Sequence, residues 1–185
     1  MVPDLEDSRP KDFLVMEYIG GCTQHVPGKN QIQKIQDILR YFATIQGNCH
    51  GLLRGSCNRG IFWQDSGEPH FRSIQQSERW LNLRTPNCKE RLVLEPDPLV
   101  LCHLDLALRN ILWLQGGQVC LLDWASAGFY PRLFEACAMK IMEGSYGNHE
   151  AEVRNRMDSF SEDEVARQLL LAQSLYDGIR YSFVS

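Results

Sequence analysis

LCHLDLALRNILWLQGGQVCLLDWASAG, residues 101–128, is among the most apolar stretches of the chain, yet it carries His103, Asp105, Asn110 and Asp123. Polar side chains taken out of water cost free energy unless something binds them. Two apolar runs flank Gly116 and Gly117, and paired glycines supply the positive backbone angles of a tight turn. A two-residue loop at those glycines predicts Gln115 facing Gln118 and, stepping back along both strands, Asn110 facing Asp123. Directly opposed residues of an antiparallel ribbon hold their Cβ atoms about 4.5–5.5 Å apart, so an amide oxygen and a carboxylate are expected to converge at the open end. That is a donor set for a hard cation: magnesium takes a few protein oxygens, keeps waters and draws its other ligands from phosphates. Asp105 is expected in the loop entering the hairpin, approaching the same opening without sharing the metal. Taken singly, each residue also has a structural explanation: Asp105 capping a helix, Asn110 satisfying a turn, Asp123 ending a strand.

Composition bounds the rest. With 185 residues, 44% hydrophobic and 23% charged, the chain reads as one globular domain with enough apolar material for a core. A formal charge of -4 disfavours nucleic acid as a partner, because phosphate binding needs a basic face. The seven cysteines are scattered without a C-x-x-C pair, which favours reduced, buried thiols over zinc or redox chemistry. The start of the chain lacks a signal peptide's basic and apolar regions, and no run reaches membrane-spanning length, so a soluble cytoplasmic protein with no membrane partner is expected.

Along the chain, residues 1–12 read as a loose segment and "FLVMEYIGG", residues 13–21, as a strand leading into a linker. Ile32, Ile35, Ile38, Leu39, Phe42 and Ile45 share one helical stripe over residues 30–46, with Asn30 as cap and Gln33 as its partner. Residues 47–72 are irregular, with room for one small hairpin. A second helix is expected over 73–83, burying Ile74, Trp80 and Leu81, a third over 132–144, and a last one opened by the Ser161–Glu164 capping box. Trp63, Trp80, Trp113 and Trp124 read as core or loop anchors, while His25, His50, His70 and His149 are isolated and receive no role.

His103, Asp105 and Asn110 fit the H-x-D-x-x-x-x-N catalytic loop of kinase-like phosphotransferases, and Asp123 occupies the place of the aspartate in their D-F-G segment. The continuation "DWASAGFYP", with tryptophan after the aspartate and no A-P-E, resembles the aminoglycoside phosphotransferase and choline kinase superfamily, particularly its fungal-type members. The resemblance implies an α+β, mainly helical fold: a kinase-like C-terminal lobe over residues 22–185 whose small central β-hairpin carries the catalytic and metal motifs, preceded by a hinge-like strand at 13–21. It implies ATP and Mg2+ as cofactors and a small-molecule hydroxyl as substrate. Asp105 then accepts or orients the hydroxyl proton, Asn110 and Asp123 hold magnesium, and His103 braces the loop. Met16 becomes the gatekeeper, and the Glu17 carbonyl and Ile19 amide meet the adenine edge.

The family's strand-rich first lobe is expected to be missing. Only twelve residues precede Phe13, and at about 3.3–3.6 Å per residue they span a cleft once without building a sheet. They hold no glycine-rich loop, and Lys11 is their only lysine. Half of the usual ATP clamp would be absent, either in the protein or through a truncated gene model, and the hinge edge would be open to a second copy or a partner chain. Three functions therefore stand side by side. The first is an ATP-dependent phosphotransferase acting on a small molecule, inactive if the lobe is truly lacking. The second is a non-catalytic, pseudokinase-like binding or regulatory remnant. The third is a protein kinase fragment, since "HLDLALRN" is similar to a tyrosine-kinase catalytic loop; the missing A-P-E and the tryptophan after Asp123 count against it.

Overall fold

The computed structural model describes residues 17–23, 27–53, 58, 60–63, 69–71, 73–95, 97–143, 149–155, 157 and 159–181. Among them, five helices frame two small antiparallel sheets. Helix α1 (Lys29–Thr44) forms where the apolar stripe required it, and Ile32, Ile35, Leu39 and Phe42 are all buried. Its cap is Gly28 rather than Asn30: the Gly28 N–H donates to Gln31 Oε1 at 2.7 Å. The helix stops at Thr44, short of Gln46, because the chain turns extended to bond strand β2 (Leu99–Cys102). There the Leu101 N–H donates to Ile45 O at 2.9 Å and the Gly47 N–H to Leu99 O at 3.0 Å.

The irregular stretch supplies β1 (Gly51–Leu52), which pairs with the distant β5 (Gly128–Pro131) instead of closing a local hairpin. Helix α2 (Ile74–Leu83) has Ser73 as its cap, just outside the helix expected to begin on it, with Ser73 Oγ accepting from the Gln76 N–H at 3.3 Å. Leu81 is buried, while Ile74 and Trp80 are half-buried. Strands β3 (Ile111–Trp113) and β4 (Val119–Leu121) form the central hairpin. Helix α3 (Leu133–Met142) is shorter at both ends than the span expected for it; α4 (His149–Asn155) and α5 (Glu162–Tyr181) follow. The capping box of α5 is formed, with the Glu164 N–H on Ser161 Oγ at 3.2 Å and the Ser161 N–H on Glu164 Oε2 at 2.9 Å. Arg132 grips the same Glu164 with bonds of 2.8 and 3.0 Å, tying the start of α5 to the end of β5.

Strand β5 lies between β1 and β2, with Val100 opposite Tyr130 and Cys102 opposite Gly128. Two apolar clusters result. One gathers Phe62, Trp63, Leu81, Leu94, Val100, Tyr130, Phe134 and Leu171; the other gathers the α1 stripe with Leu106, Ile111, Trp113, Met139 and Val153. Helix α3 serves both, through Cys137 and Ala138 on one side and Met139 on the other.

Three expectations need correction here. The cysteines are free, but only Cys102 and Cys137 among the described ones are buried; Cys22 and Cys49 are exposed. Of the strand expected at 13–21, residues 13–16 lie outside the described residues and 17–21 form no strand. Pairing begins only at Cys22, whose N–H donates to Trp113 O at 3.1 Å and whose carbonyl accepts from the Trp113 N–H at 2.9 Å. The hairpin register is the third and is taken up with the site. Among the described residues no helix is long and apolar enough to cross a membrane.

Candidate active site

The loop between β2 and β3 is apolar for a structural reason. Leu104 packs into the first cluster and Leu106 into the second, Ala107 and Leu108 are buried beside them, and Ile111 starts β3 fully buried. The loop is thus wedged between two cores, which leaves Asp105 and Arg109 to turn outward. Leu104 adopts φ 63°, a left-handed conformation that costs a leucine roughly 1–2 kcal/mol and persists only where its surroundings fix it.

Glu135 of α3 does the fixing. Its carboxylate accepts from the backbone N–H of His103 at 2.5 Å and from that of Leu104 at 3.1 and 3.2 Å. The side chain is 3% exposed, and burial pushes its carboxyl up to about 7 against the pull of those two amides, with the nearby Asp105 charge raising it further. His103 is fully buried. Its Nε2 lies 3.0 Å from Leu122 O, and its Nδ1 accepts from the Asp105 N–H at 3.3 Å, so the ring ties the loop to the far strand of the hairpin. Trp124 covers it, ring centroids 4.9 Å apart. Burial holds the His103 pKa below its ordinary value, which keeps the ring neutral.

Asn110 directs its Nδ2 to Asp105 twice, to the carboxylate Oδ2 at 2.9 Å and to the carbonyl at 3.0 Å. With the amide nitrogen committed, the amide oxygen faces away from Asp105. Arg109 Nη2 straddles the other side of the Asp105 carboxylate, 2.7 Å from Oδ1 and 2.6 Å from Oδ2.

The hairpin closes with three residues, not two. The Leu114 N–H donates to Gln118 O at 2.9 Å, and Gly116 (φ 76°) and Gly117 (φ 73°) both take the left-handed conformation inside the loop. The ladder therefore pairs Ile111 with Leu121, and Asn110 faces Leu122 rather than Asp123; the Leu122 N–H donates to Asn110 O at 2.8 Å. Asp123 stands one residue past the ladder. It leaves the strand at φ 57° and accepts weakly, at 3.4 Å, from the Ala125 N–H of the short 3-10 turn Trp124–Ser126. Asn110 and Asp123 thus occupy the same open end of the hairpin without being a directly opposed pair.

The donor chemistry fits a hard cation: a carboxylate that is exposed and weakly engaged, beside an amide whose nitrogen is already committed elsewhere. Among the described residues no group of three or more His, Cys, Asp or Glu side chains converges, so a closed, all-protein metal cage is not what these residues build. Of the nucleotide-facing residues expected from the sequence, Met16 lies outside the described residues, Glu17 is exposed and Ile19 half-buried. Glu135 and Arg109 received no role from the sequence, although each left a signal: an acid inside the apolar run LFEACAM, and a cation four residues after Asp105.

A catalytic-type loop clamped between two cores and followed by a metal-type aspartate defines a phosphotransferase-like class. The profile of the phosphotransferase enzyme family (APH) matches residues 2–166, and the chain belongs to that family. Among curated proteins no relative matches it. Among solved structures, choline kinase LicA from Streptococcus pneumoniae is similar over 83% of this chain and 56% of its own, with 18% identity and a TM-score of 0.45. LicA in complex with AMP is similar over 83% of this chain and 55% of its own, at 15% identity and TM-score 0.42. The chain thus spans a little more than half the length of the solved structures it matches.

Proposed function

We propose that this chain is the C-terminal lobe of an ATP-dependent phosphotransferase that modifies a hydroxyl of a small molecule. The observation that carries the reading is the contact between Asp105 and Asn110, a base and a cation ligand in one fixed unit at the open end of the hairpin. In this reading Asp105 accepts the acceptor's hydroxyl proton while the new O–P bond forms and the bond to ADP breaks, the electron pair leaving with ADP. Magnesium, when bound, neutralises the phosphate charge that develops in transfer. Asn110 and Asp123 are the residues that would hold it, and the Glu135 and His103 contacts keep Asp105 where the hydroxyl must arrive. The segment around Glu17 and Ile19 is the adenine side of the site.

The test is phosphate transfer from Mg·ATP across a panel of hydroxylated small molecules, wild type against Asp105→Ala. A general base contributes about 10²–10⁴-fold, so the variant is expected to lose at least that much; equal rates remove Asp105 from the mechanism.

One observation favours a second reading, a non-catalytic binding or regulatory unit: Arg109 already occupies both oxygens of Asp105. Thermal unfolding with and without Mg·ATP separates the two, since a ligand stabilises only as far as it binds the folded state.

A further inference from the structure

We propose that Arg109 is the specificity-determining residue of this site and that its guanidinium receives an anionic group, a carboxylate or a phosphate, on the hydroxyl-bearing acceptor. The inference rests on the phosphotransferase reading above. Arg109 sits in a one-turn 3-10 segment, Leu108–Asn110, whose other two residues are buried, so its backbone is fixed while its side chain reaches outward. The side chain is 46% exposed and that of Asp105 only 17%, which makes the guanidinium the outer member of the pair. An acceptor approaching Asp105 meets Arg109 first.

Charge then selects among acceptors. A cationic alcohol finds the Asp105 charge already taken and a guanidinium in its way. Asp123 offers it little in this reading, being committed to magnesium. Trp124 is 40% exposed but is turned onto His103 and Phe42, and its Nε1 is tied to Leu121 O at 3.0 Å, which spoils it as a platform for a cation. An anionic alcohol finds a planar, permanently charged group of five N–H donors, of which Asp105 engages only those on Nη2. Drawing the guanidinium toward the acceptor's anion loosens its hold on Asp105, so the correct acceptor releases the base that will take its proton.

The test uses three small alcohols that differ in charge: glycerate, glycerol and choline. The full chain is labelled with 15N-arginine, and the Arg109 Nε–H resonance is assigned by its loss in Arg109→Met. Glycerate is expected to move that resonance, with glycerol and choline leaving it in place. In transfer from Mg·ATP, glycerate is expected to show a KM about 10- to 100-fold below that of glycerol, the range one charge-assisted hydrogen bond commands. Arg109→Met is expected to erase the preference, and Arg109→Lys to restore part of it by keeping the charge without the planar fork.

A resonance unmoved by glycerate overturns the inference, as does a wild-type preference for choline. A shift caused by Mg·ATP alone, to which glycerate adds nothing, places the guanidinium on the donor phosphate and overturns it too. Transfer to all three alcohols at equal KM refutes the role of Arg109 and leaves the phosphotransferase reading standing. A glycerate-induced shift without transfer to any probe does the reverse.

Discussion

The Glu135 carboxylate lies 2.5 Å from the amide nitrogen of His103, across 32 residues of chain, and it is the fastening by which α3 holds the catalytic-type loop. Truncating it by Glu135→Ala strands two buried N–H groups, those of His103 and Leu104, and leaves the left-handed Leu104 without its clamp. Each unpartnered buried donor costs about 1–3 kcal/mol. The variant is therefore expected to lose roughly 2–5 kcal/mol in urea unfolding, and any transfer activity should fall with the loop's order.

The same carboxyl predicts a pH dependence. Burial pushes Glu135 up to about 7 from an ordinary 4.5, so between those values the folded chain binds more protons than the unfolded one at this residue. Its contribution to stability therefore declines as pH rises through that window and levels off above about 7, by a total on the order of 3 kcal/mol. Buried His50, lowered to about 4, and His103, also lowered, act in the opposite direction, losing stability as pH falls below their ordinary 6.5. The clean measure is thus a difference. Glu135→Gln should gain stability relative to wild type as pH is raised from 4.5 to 7, and a flat difference would show that the carboxyl titrates normally.

How much of this was legible in the sequence varied with the range over which the cause acts. The α1 stripe and the Ser161–Glu164 box were readable because their partners lie within a turn of each other. The hairpin was readable from its glycines, but its register was not. With Gly116 and Gly117 both left-handed, Gln115 joins the loop, and that single residue moves Asn110 from Asp123 to Leu122. The pairing of β1 with β5 spans most of the chain and had no local mark. Glu135 had one that was passed over, since an acid amid LFEACAM must find donors somewhere; which donors only the packing of α3 against the loop decides.

The central strand carries a sharper constraint at Gly128. A Cβ there would stand 2.2 Å from the Gly51 carbonyl oxygen, a backbone atom that cannot move aside without parting β1 from β5. Gly128→Ala is expected to destabilise by about 2–3 kcal/mol, above the usual cost of overpacking at the low end, because the clash is with backbone. Hydrogen exchange should show the Leu53 amide, bonded to Ala127 O at 3.1 Å, losing protection in the variant before the amides of α1 do.

Asp123 separates metal binding from folding. It stands exposed at φ 57°, a conformation asparagine tolerates nearly as well, and its one printed role in the fold is a weak 3.4 Å acceptance from the Ala125 N–H, which an amide oxygen can also make. Asp123→Asn should therefore unfold within about 0.5 kcal/mol of wild type. If Asp123 ligates the cation, the same change removes a charged ligand, and the magnesium concentration needed for half-maximal Mg·ATP stabilisation should rise about tenfold or more. Asp123→Ala, which loses both the ligand and the left-handed tolerance, should show the same magnesium defect with an added loss of about 1 kcal/mol in folding. An unchanged magnesium requirement in Asp123→Asn would remove Asp123 from the metal site while leaving the loop geometry intact.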